Sequence, residues 1–135
     1  KKAVWHEESP LRFTPDDADG GAIDNDGSIK VNTVNLNEFL QEEVDFLKID
    51  IEGAEHEVLP AISNNLRNVR FLFLELHLDQ SLPKQIEEIL KLLRENSFVY
   101  SFNSLKNINF DLLQNSSKSG RFIQQLNIFA INENS

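Results

Sequence analysis

Cysteine is absent from this 135-residue sequence, which excludes a disulfide scaffold, a zinc–thiolate centre and a cysteine nucleophile. Methionine is absent too, even at position 1, so the numbering need not begin at a translation start and the chain is expected to be a fragment. Basic charge is scarce: 13 Lys and Arg stand against 22 Asp and Glu, a formal net charge of −9. Nucleic acid and anionic membrane surfaces both need a basic footprint, so neither is an expected partner. No apolar run nears the roughly 18 residues that span a bilayer, and the opening "KKAVWHEES" lacks the apolar core of a signal peptide. The expected location is the cytoplasm.

What is present suffices for one globular domain over residues 1–135, with 40% hydrophobic residues to build a core without covalent staples. Residues 1–34 read as short strands, "KKAVW", "LRFTP" and "SIKVNTV", around a solvated Asp/Gly loop, "DDADGGAIDNDGS". An EF-hand frame through Asp24, Asp26 and Gly27 fails, because Ala22 and Thr33 fall where acidic ligands belong. Residues 35–135 alternate. A short helix over 36–42, started by Asn35 with Glu38 three residues on, leads to a strand over 44–51. A helix over 53–65, kinked by Pro60, precedes a strand over 69–77. The helix over 82–95 sets Leu82, Ile86, Ile89, Leu90 and Leu93 on one face and charge on the other. A strand over 98–102, an Asn- and Ser-rich connection over 103–120 and a last strand to Ile131 follow. This order predicts an α/β fold, mostly parallel, closed by an antiparallel C-terminal strand.

The stretch "VDFLKIDIEGAEHEVL" poses the functional question, because a buried strand finishes in charge. Alternation puts Val44, Phe46, Lys48 and Asp50 on one face, and Val69, Phe71, Phe73, Glu75 and His77 on one face of the next strand. Two neighbouring parallel strands would thus both end in ionisable groups, where open α/β sheets bind ligands. Plainer readings stand beside this. Lys48 and Glu75 could form a cross-strand ion pair, His77 could bond a carbonyl, and Glu52 could sit on a helix dipole. Glu55 is harder to dismiss, since it shares the apolar stripe of Val58, Leu59 and Ile62. Gly53 permits the tight strand-to-helix turn.

The run from "VNTVNLNEFLQEEVDFLKIDIEGAEHEVL" to "RFLFLELH" closely resembles the second half of the FkbM-type methyltransferases, S-adenosylmethionine-dependent enzymes with a Rossmann-like seven-stranded sheet. The likeness is close from Val31 to His77, looser through Phe102, and "KKAVW" resembles the strand before the family's variable hairpin. By it, Lys48, Asp50, Glu52, Gly53 and Glu55 match the family signature, and Glu75 and His77 its Glu-x-His strand end. Asn37 and Pro60 depart from the family pattern, which usually has Asp and a helix-compatible residue there. The resemblance implies methyl transfer to a hydroxyl on a sugar or natural-product acceptor. It also implies that the cofactor half is missing. The family holds S-adenosylmethionine on a Gly-rich turn after its first strand, whereas of Gly20, Gly21, Gly27, Gly53 and Gly120 only Gly53 lies between a strand and a helix.

The expectations are therefore specific. Asp50 is the base or orients the acceptor, His77 is the second catalytic candidate, and Lys48, Glu52, Glu55 and Glu75 form the polar wall. The cofactor-binding residues are not readable, and no metal is assigned: Asp50, Glu52, Glu75 and His77 offer divalent-cation ligands without a ligand spacing that proves a site. The chain alone should be inactive. A non-catalytic interaction module and a metal-dependent hydrolase are the rival readings. The partner is a small-molecule or glycan acceptor. With its neighbour absent, two copies should associate into a homodimer through the edge of the 44–51 strand or the apolar face beside it, unless "KKAVW" or "IKVNTV" covers that edge.

Overall fold

The computed structural model describes residues 2–15, 21–23, 26–78, 82–103 and 124–134. Its centre is a four-stranded sheet of β6 (Val44–Ile49), β7 (Val69–Leu78), β9 (Gln124–Asn132) and β8 (Phe98–Asn103), in that spatial order. β6 and β7 run parallel, with Phe46 beside Phe71 and Lys48 beside Phe73. β9 inserts between β7 and β8 and runs antiparallel to both, so β6, β7 and β8 point one way and the last strand the other. The expected α/β sheet with a reversed C-terminal strand is therefore present.

Helix α1 (Glu55–Ala61) and helix α2 (Leu82–Glu95) cover one face. Val58, Leu59, Ile62 and Leu66 meet Leu72, Leu74, Leu76, Ile89, Leu93 and Ile128 in a single core. α2 keeps its predicted limits, burying Ile89 and Leu93 while its charged residues stay outside. It stops where Ser97 adopts a left-handed conformation, φ 62°.

The helix expected over 53–65 is shorter. Pro60 has no amide to continue the ladder, so α1 ends at Ala61 and the chain tightens into a 3-10 turn, Ser63–Asn68. Asn37 closes this joint, donating through Nδ2 to the Ala61 carbonyl at 2.7 Å and accepting on Oδ1 from Asn65 at 3.0 Å. An aspartate could accept but not donate, which accounts for the amide here. The segment expected as a helix over 36–42 is a 3-10 turn, Leu36–Phe39, whose first turn is capped by Asn35 Oδ1 accepting from the Asn37 amide.

The N-terminal strands form two small sheets of their own. β1 (Ala3–Trp5) pairs parallel with β5 (Thr33–Asn35), while β2 (Leu11–Pro15) pairs with β3 (Gly21–Ile23) and β4 (Ile29–Val31). The single strand expected at "SIKVNTV" is thus broken at Asn32, where the chain passes from one sheet to the other, and the Asp/Gly segment contains the short β3 rather than loop alone. Gly27 is needed there, since a Cβ would lie 2.5 Å from the Phe13 backbone. The expectations for residues 16–20 and 104–123 lie outside the described residues. Among the described residues, β6 pairs with β7 alone, so neither N-terminal segment covers its other edge.

Candidate functional site

β6 ends because the backbone turns sharply. Glu52 holds φ 54° and Gly53 φ 100°, both in the left-handed region, and α1 begins two residues later. Glycine tolerates that region; glutamate does so at a cost. Glu55, in the first turn of α1, is only 2% exposed, and its Oε1 accepts from the Ile51 and Gly53 amides at 3.2 Å each. The carboxylate on the apolar stripe is therefore the clasp of the turn that aims Asp50 and Glu52.

The same oxygen lies 3.0 Å from His77 Nδ1. An oxygen already receiving two N–H donors acts as acceptor towards the ring as well, so Nδ1 carries the proton. Nε2 faces the Gln125 amide nitrogen at 3.2 Å and Glu52 Oε2 at 3.6 Å. His77 is buried, its side chain 2% exposed, against 55% for Glu52.

Asp50, Glu75 and His77 each place one donor atom within 4.8 Å of the others. Their convergence follows from the register: Ile49 pairs with Leu74, so Asp50 comes level with Glu75. Lys48 pairs at 3.0 Å with Asp50, the residue just past the end of its strand, and not with Glu75, and its ammonium also lies 5.9 Å from the Phe73 ring. Two oxygens and an imidazole nitrogen at this spacing suit a divalent cation, and suit equally the hydroxyl donors of a polar ligand.

All the expected residues thus gather at the carboxyl end of the parallel pair. They divide into an outer group, Lys48, Asp50, Glu52 and Glu75, and a buried pair, Glu55 and His77. Sequence reasoning missed Gln125 and Asn127. Asn127 pairs with Glu75 across the β7–β9 ladder, and its Oδ1 is buried without a hydrogen-bond partner. No spacing signal could have found them, because the long connection before β9 leaves its register unspecified. A polar cleft lined by Ser63, Arg67, Glu95 and Asn134 lies at the other end of the sheet, away from these groups.

The Methyltransferase FkbM domain family matches residues 3–100, a span that contains Lys48, Asp50, Glu52, Glu55, Glu75 and His77 but not Gln125 and Asn127. The chain belongs to the FkbM methyltransferase family. A curated relative, the hexuronic acid methyltransferase AglP of Haloferax volcanii, is 30% identical over 91 residues, which cover 57% of this chain and 38% of that protein. The chain thus spans well under half the length of that relative. No solved structure matches it. Among the described residues, no helix is long and apolar enough to cross a membrane.

Proposed function

We propose that this chain supplies the acceptor side of an S-adenosylmethionine-dependent O-methyltransferase acting on a sugar or related polyhydroxylated acceptor, and that it does not turn over alone. The observation that carries this reading is the convergence of Asp50, Glu75 and His77 at the end of two parallel strands of an FkbM domain. Bound S-adenosylmethionine would supply an electrophilic methyl group. Its cradle does not fit the residues described: the one turn joining a strand to a helix through glycine, at Gly53, is already filled by the Glu55 carboxylate. These residues therefore act on the acceptor.

Asp50 is the group best placed to orient the acceptor hydroxyl and hold its proton, with Lys48 offsetting the surrounding negative charge. Glu75, beside Asp50 and His77, offers a further acceptor for hydroxyl donors. Four carboxylates against one ammonium favour a neutral polyol over a free uronate, which these charges would repel unless a divalent cation lay between. This distinguishes the proposed acceptor from the one in the relative's name.

The test is Asp50→Asn in the protein as encoded, assayed for methyl transfer to a panel of hexoses and hexuronic acids. Turnover should fall about 100-fold or more with unfolding unchanged; undiminished turnover removes Asp50 from the chemistry. Calorimetry of residues 1–135 with S-adenosylmethionine should show weak or no binding. The open apolar face of the sheet favours a second reading, a binding module, which gains if the encoded protein transfers no methyl group.

A further inference from the structure

The outer carboxylates of the cluster are not equivalent. Asp50 is tied to Lys48 at 3.0 Å, and its side chain is 29% exposed. Glu52 is 55% exposed, and it occupies the one described non-glycine position of the turn with positive φ, 54°. Left-handed backbone at a residue with a Cβ and a long charged side chain costs stability, and such positions concentrate at functional sites. Glycine would relieve the strain, and Gly53 follows immediately with φ 100°. Among the described residues, the partner nearest the glutamate is His77 Nε2 at 3.6 Å, beyond hydrogen-bond reach.

The residues behind Glu52 are by contrast fully engaged. Glu55 clasps the Ile51 and Gly53 amides on either side of residue 52, and fixes the His77 ring through Nδ1. The ring and the Gln125 amide then form the floor under the Glu52 carboxylate. A strained backbone held from both sides, with an exposed carboxylate at its tip and a packed polar base beneath, is a preorganised hydrogen-bond acceptor.

We infer that Glu52 is a specificity-determining residue that accepts a hydrogen bond from a second hydroxyl of the acceptor, beside the one Asp50 handles, with Glu55 as its positioning residue. This rests on the acceptor reading proposed above. It commits the acceptor to at least two hydroxyls within reach of one strand end, and it explains why glutamate stands where the backbone favours glycine.

Two measurements test it, and they fail separately. Thermal unfolding of residues 1–135 should show Glu52→Gly as stable as the parent or more stable, with Tm raised by roughly 2–4 °C as strain is released. A fall of several degrees would make the glutamate structural and overturn the inference, whatever the reaction. In the encoded protein, with a hexose as acceptor, Glu52→Gly should raise KM for the acceptor about tenfold while kcat changes little, and Glu52→Gln, which keeps a carbonyl acceptor on the same backbone, should recover most of the loss. An unchanged KM in Glu52→Gly overturns the inference even if methyl transfer itself is confirmed. Absence of any methyl transfer by the parent refutes the acceptor reading and the role assigned to Glu52 with it, leaving the strain result as a finding about the turn alone.

Discussion

The two faces of the central sheet carry similar side chains and have different fates. On one, Leu72, Leu74, Leu76, Ile128 and Ala130 are all at most 3% exposed beneath α1 and α2. On the other, Phe46, Phe71, Val99, Phe129 and Ile131 are between 37% and 60% exposed. The strand register aligns these residues into a continuous apolar surface, with Phe71 beside both Phe46 and Ile131, and Ile131 beside Val99. Phe73 and Phe129 meet in a tilted pair across the β7–β9 ladder, ring centroids 4.9 Å apart, and Arg70 lies over Phe71 at 5.0 Å. Strands apolar on both faces belong to sheets covered on both faces. The difference teaches that, among the described residues, the helices cover one face of the sheet and leave the other apolar face exposed, with the charged cluster at its rim.

If that comparison holds, equal truncations on the two faces should have unequal costs. Leu74→Ala, at a fully buried position, should destabilise by about 3 kcal/mol, as transfer and cavity terms add. Phe129→Ala, on the open face, should cost less than about 1 kcal/mol in the same denaturant titration, run at a dilution where the chain is monomeric. Comparable losses would show that the open face is closed in solution.

Glu55 sharpens the contrast at the rim. Glu55→Ala removes the acceptor for two backbone amides and the His77 ring, and should cost about 2 kcal/mol, since buried donors are left unpaired. Glu55→Gln, which retains one acceptor oxygen, should cost less. Equal losses in the two variants would show that the negative charge, not the hydrogen-bond geometry, holds the turn.

Much of this was readable in the sequence, for physical reasons. α2 has a 14-residue amphipathic period, long enough to fix both its limits and its face. Alternation in β6 and β7 sorted their side chains correctly, and Glu55 announced its burial by sitting on an apolar stripe. Other features depended on partners distant in the chain. Pro60 removes an amide from the helix, and the donor that then satisfies the Ala61 carbonyl is Asn37 Nδ2, 24 residues earlier. Asn32 breaks one apparent strand because its two halves pair with different sheets. Alternation reveals that a strand has two apolar faces, not which of them its own chain covers. His77 and Asp50 looked equivalent as strand-end groups; only the packing of Gln125 and Glu55 around the ring separates a buried residue from an exposed one.

The smallest expected change in stability accompanies the most informative change in assembly. The open face exposes about 450 Å² of apolar side chain, taking on the order of 200 Å² for a whole aromatic ring, which is the size of patch that marks interaction sites. It continues onto the edge of β6 that is unpaired among the described residues, where Asp45, Lys48 and, just past the strand, Asp50 discourage pairing. Two copies of residues 1–135 meeting over face and edge would remove both from water, despite the net charge of −9 that opposes their approach. Sedimentation at micromolar concentration should therefore detect a dimer that strengthens with added salt, as screening weakens the repulsion. Phe46→Gln, at a position 60% exposed, should shift the equilibrium to monomer and, at a dilution where parent and variant are both monomeric, change unfolding by no more than about 0.5 kcal/mol. A parent that sediments as a 15.5 kDa monomer at every salt concentration would exclude the second copy as the cover of this face.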